Sequence, residues 1–185
     1  MSVSSPKEAL NFEEVSMKLL SVLALVFSSM SFATSIRPVA LESIQTPVGR
    51  FQHERTAKII RVALDGEVFG GTCGLELESE SFTPGINYAD CEWMTVKFMS
   101  PREMRRVVRL TKLAKLGAIQ YPNPTGIHCM AMPTHSIRMT ANNGSVFLKS
   151  AVLPCGSMIF NNSEAAQKLV QELNNLRSEY AGLNP

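Results

Sequence analysis

The stretch AKIIRVALDGEVFGGTCGLELE, residues 57–78, decides the fold. Ala57 to Leu64 is apolar and rich in β-branched residues, and it stops at Asp65-Gly66. Both positions of that dipeptide tolerate positive φ, as a two-residue hairpin turn requires. A partner strand then runs from Glu67 to about Glu78. Gly70, Gly71 and Gly74 within it mark a bulge or a close approach by another group. Leu75, Leu77 and Phe82 alternate with Glu76, Glu78 and Glu80, the period of a half-buried strand with an acidic outer face.

The same grammar continues downstream. Ser81 to Asp90, with Pro84-Gly85, reads as a loop, and Cys91 to Met99 as a strand with Trp93 and Phe98 as bulky fillers. Ser100-Pro101-Arg102-Glu103 is a capping box with proline at the first helical position. The helix it starts, about residues 101–116, places Met104, Val107, Val108, Thr111 and Ala114 on one side and ends at Gly117. Tyr121-Pro122-Asn123-Pro124 is a loop, and Ile127 to Met132 is a short strand stopped by Pro133. Asn142-Asn143-Gly144 joins two alternating runs, Ser136 to Ala141 and Ser145 to Leu153, as a second hairpin. From Ala166, the residues Leu169, Val170, Leu173, Leu176 and Tyr180 trace one helical stripe in a helix of about 162–180. Asn161 with Glu164, or Ser163, can cap it. Hairpins with interspersed helices predict an α+β domain with a mostly antiparallel sheet of about five to seven strands and two amphipathic helices.

Upstream, Thr34 to His53 is the least regular part, broken by Pro38 and Pro47. Before it, Met17-Lys18 opens an apolar block that ends in Ser31-Phe32-Ala33, the layout of a secretory signal over residues 17–33. The block from Leu19 to Phe32 falls short of the roughly 20 apolar residues of a membrane span. Residues 1–16 contain Glu8, Glu13 and Glu14, a poor lead for a signal, and read as an upstream extension from an early start codon. Cleavage after Ala33 would release one exported domain, residues 34–185, in the periplasm or outside the cell. Removing the leader takes two of the 18 basic and three of the 16 acidic residues, which leaves a charge of about +3. So mild a balance gives no reason to expect nucleic acid.

All four cysteines, Cys73, Cys91, Cys129 and Cys155, lie in this domain. An even number in an exported chain predicts two disulfides. Three pairings are open, and Cys73–Cys91 with Cys129–Cys155 closes the two shortest loops.

Three sets of residues are candidates for function. Arg102, Arg105, Arg106, Arg109, Lys112 and Lys115 form a cationic ridge on the first helix, suited to an anionic macromolecule, lipid head groups or an acidic envelope protein. The same ridge is also what a solvated helix face looks like. His128, Met130, Met132 and His135, with Met139, concentrate soft ligands for copper, although strand alternation sends Cys129 to the other face. A small hydrolase with a site assembled from distant residues is the third reading. The chain has no Gly-x-Ser-x-Gly, His-Glu-x-x-His, Cys-x-x-Cys or phosphate-cradling loop, so no cofactor is implied and the balance leans away from an enzyme. The expectation is an exported, disulfide-stabilised binding or structural protein.

Overall fold

The computed structural model describes residues 37–47, 56–76, 85–121, 135–153 and 158–183. In chain order they form β1 (Val39–Pro47), β2 (Thr56–Ala63), β3 (Glu67–Glu76), β4 (Gly85–Phe98), α1 (Pro101–Ala114), β5 (Ile119–Gln120), β6 (His135–Ala141), β7 (Val146–Leu153), β8 (Met158–Asn161) and α2 (Glu164–Leu183). The strands join in one sheet of order β4-β3-β2-β1-β6-β7-β8-β5, and every neighbouring pair is antiparallel. The α+β class is as expected, but the described residues hold eight strands rather than five to seven.

Two hairpin turns anchor this sheet. Asp65-Gly66 links β2 to β3 with Gly66 at φ 94°, and the Asp65 carboxylate accepts the Glu67 N–H at 3.1 Å. Asn142 and Asn143, at φ 51° and 53°, and Gly144, at 83°, link β6 to β7. Asn143 Oδ1 also accepts the Val39 N–H at 2.6 Å, so the second hairpin pins the start of β1. β1 lies mid-sheet between β2 and β6, in the part of the chain that prolines make look irregular. Pro47 ends the strand, past Gln45, the last residue paired with β2.

Strand alternation gives the sheet two apolar faces. One packs beneath both helices: Leu41, Ile60, Val62, Val68, Ile137, Met139, Val146 and Leu148 join Met104, Val107 and Leu110 of α1 and Ala166, Leu169, Leu173, Leu176 and Tyr180 of α2. The other carries a smaller cluster in which Ala57, Ile59 and Cys73 are covered by Ile44, Leu75, Ile86, Tyr88, Cys91 and Trp93. Gly85 to Asp90 begins β4 rather than forming a loop. Its pairing jumps from Asn87 opposite Gly74 to Glu92 opposite Thr72, so Tyr88 to Cys91 bulge over Cys73. The Cys73–Cys91 disulfide ties that bulge down. This is one of the two expected bridges; Cys129 and Cys155 lie outside the described residues, as do the acidic positions from Leu77 to Phe82, the Tyr121 loop beyond Tyr121 itself, and Ile127 to Met132.

Both helices start as their caps dictate. Ser100 and Glu103 form the reciprocal box at the head of α1, and Ser163 Oγ accepts the Ala166 N–H at 3.1 Å at the head of α2. The two ends are tied by Asn161. Its buried amide donates to Ala114 O at 2.8 Å and to Phe147 O at 3.3 Å, and its Oδ1 accepts from the Ser163 N–H at 3.0 Å. Gly117 is not the left-handed cap of α1, which closes on Lys115; it is the point where the backbone passes so close to Asn161 Oδ1 that no side chain fits.

Candidate functional site

α1 turns one face to α2 and the sheet and the other to solvent. Met104, Val107, Leu110 and Ala114 are buried. Leu110 therefore takes the place that spacing assigned to Val108, which is exposed, while Thr111 is half-buried. Leu110 joins Val107 and, from α2, Leu169 in the main core.

Arg102, Arg105, Arg106, Arg109, Lys112 and Lys115 are all exposed. At 100° per residue, the five within the helix fall in an arc of roughly 120°. None of the six forms an ion pair with another described residue. Glu103, the helix's single acid, is engaged elsewhere. Its Oε2 accepts from Ser100 N at 2.7 Å and Ser100 Oγ at 2.6 Å, and those bonds, the hydroxyl's first, hold its carboxyl below the ordinary 4.5. Glu76, the described residue of the acidic outer face, ends β3 at the end away from the junction of β4 with α1, so it does not neutralise the ridge. Beside the ridge, Leu64, Met99, Met104, Arg105, Val108, Arg109 and Lys112 line a shallow cleft of about 650 Å³.

The soft-ligand set is only partly within the described residues. His128, Met130 and Met132 lie outside them. His135 opens β6, half-buried, and Met139 is packed in the core beneath the helices. Among the described residues no group of three or more His, Cys, Asp or Glu could hold a metal ion. The two aspartates serve local structure: Asp65 the hairpin turn, Asp90 a 2.5 Å bond from the Asn87 amide.

Two further polar sites escape sequence reasoning because they join elements distant in sequence. Arg61, on the face away from the helices, bonds Glu42 at 2.7 Å and lies under the Tyr88 ring at 4.2 Å. Burial, and then the Glu42 charge, pushes the Tyr88 hydroxyl above its usual 10.0. On the helix side, Arg177 bonds Gln45 in a groove of about 780 Å³ that also includes Lys58, Thr72, Glu92 and Asn174. Burial lowers the Arg177 pKa from the ordinary arginine value.

No protein-family model, curated protein or solved structure matches the chain.

Proposed function

We propose that the chain is an exported, disulfide-stabilised binding protein that meets an anionic macromolecule of the cell envelope through the solvent face of α1. The observation that carries this reading is the unneutralised ridge. Five cations share one exposed helix face, with Lys115 exposed at its end, and the only carboxylate on that helix is locked into the N-terminal cap. Surface cations are usually interleaved with acids, which limits like-charge repulsion. A face that keeps its charge unpaired favours encounter with a negative partner. Export is supported by the signal layout of residues 17–33 and by the cysteine pair closed between β3 and β4, since such bridges persist in oxidising compartments.

The test uses a soluble polyanion. The mature protein, residues 34–185, should be retained on heparin and elute with salt. Arg105→Ala, Arg106→Ala and Arg109→Ala together should lower the eluting salt and flatten the salt dependence, because fewer screened contacts are lost. Retention that ignores the triple change would overturn the reading. Mass spectrometry of the periplasmic fraction should give a chain beginning at Thr34.

A further inference from the structure

We infer, building on the reading of α1 as a cationic binding face, that the end of α1 and the strand after it form an anchor for the interface of an anionic lipid bilayer. Four large side chains within nine residues are left in solvent there: Leu113, Leu116, Ile119 and Tyr121, at 50%, 83%, 44% and 71% exposure. Single exposed leucines are ordinary on a soluble domain. Four within nine consecutive residues are not, and clustered exposed apolar side chains mark contact surfaces.

Charge selects the occupant. Arg109, Lys112 and Lys115 alternate with these side chains, and Leu113 falls within the arc of the arginines. From Met104 to Tyr121 the chain contains no acidic residue. A bilayer with anionic head groups offers a negative layer with hydrocarbon directly beneath, and this corner offers cations on long stems around an apolar tip. The lysine and arginine stems can lie along the leucines while their heads stay at the phosphates. Tyr121 suits the boundary layer, where an aromatic body and a polar tip are both satisfied.

Strand addition by a protein partner is the natural rival, because β5 is the outermost strand of the sheet. Its two residues, Ile119 and Gln120, make an edge too short to template another strand. No described helix is long and apolar enough to cross a membrane, so attachment would be by adsorption and shallow insertion.

The probe is sedimentation of the mature protein with vesicles of phosphatidylcholine alone or with equal parts phosphatidylglycerol. Binding should appear only with the mixed vesicles. Leu113→Ser with Leu116→Ser should lose about tenfold per leucine. Arg105→Ala, Arg106→Ala and Arg109→Ala should lose about fivefold per charge. All five positions are exposed, so melting should be unchanged in both variants. Tyr121→Trp should be quenched by brominated acyl chains, whereas the native Trp93, on the opposite sheet face, should not. No binding to mixed vesicles, or leucine variants that bind as well as the wild type, would overturn the inference. Heparin retention without vesicle binding would overturn the lipid anchor and leave the cationic face standing; loss of both would remove both.

Discussion

The ring of Tyr180 occupies the space that a side chain at position 70 would need. A Cβ built on Gly70 would fall 2.6 Å from Tyr180 Cγ and closer still to Cδ2 and Cε2. The last turns of α2 therefore sit on bare β3 backbone, and the Tyr180 hydroxyl reaches Thr72 Oγ1 at 3.4 Å. Gly71 does the same on the opposite face, where its Cβ would lie 2.7 Å from Trp93 Cε3. Adjacent glycines thus let an aromatic residue approach the sheet from each side.

Gly70→Ala should therefore cost about 3 kcal/mol in chemical denaturation, since overpacking would expel a buried ring. Tyr180→Ala alone should cost a similar amount through the cavity it leaves. The double variant should be well short of the sum, because with the ring gone the alanine has room. Strictly additive losses would show that the ring does not govern position 70.

Arg61 and Glu42 should behave as a buried ion pair. Their side chains keep only 10% and 18% of their exposure, and the guanidinium is covered by Tyr88 and lies 5.4 Å from the Trp93 ring centre. Glu42→Ala would leave a cation in a poorly solvated place and should cost about 3–5 kcal/mol. Replacing both partners, Glu42→Leu together with Arg61→Met, should restore most of that loss, because no charge remains to be desolvated. A single Glu42→Ala that melts like the wild type would show that water reaches the guanidinium.

The Cys73–Cys91 bridge closes a loop with a sequence separation of 18, so Cys73→Ala with Cys91→Ala should cost about 3 kcal/mol, mainly by freeing the unfolded chain. The bridge also clamps the β4 bulge that carries Tyr88 across Arg61. Amide exchange should consequently speed up at Tyr88 to Cys91 before it does in β6 and β7. Uniform acceleration across the sheet would mean that the bulge has no separate clamp.

What the sequence made legible was local chemistry. Asp65-Gly66 and Asn142-Asn143-Gly144 specify their hairpins through positive φ, and the Ser100–Glu103 box specifies its helix, whatever the rest of the chain does. β1 is hidden because its place depends on two partners, β2 and β6, and not on its own weak alternation between Pro38 and Pro47. β5 and β8, of two and four residues, are too short to show a period. On α1 the outward cations are predictable from spacing. So is the outward position of Leu113, which falls among them, whereas Leu116 lies past the end of the helix, where spacing no longer fixes a face.

The cap of α1 supplies a pH test. Ser100 holds the Glu103 carboxyl below its ordinary 4.5, chiefly through its hydroxyl and then its N–H, with Lys97 adding a smaller pull. A carboxyl whose value is lower in the folded than in the unfolded chain stabilises the fold above the unfolded value. That contribution is lost as pH falls through the folded value. Ser100→Ala should therefore cost about 1 kcal/mol near neutrality through the lost cap. The gap between variant and wild type should shrink on acidification below 4.5, where the wild-type carboxyl also takes up its proton. Melting curves across that range would check it, and a gap constant with pH would mean that the hydroxyl caps the helix without help from the Glu103 charge. The same lock matters for the outward face, because a carboxylate released from Ser100 becomes available to the arginines beside it. Ser100→Ala should then weaken retention on heparin slightly at neutral pH, although it removes no positive charge.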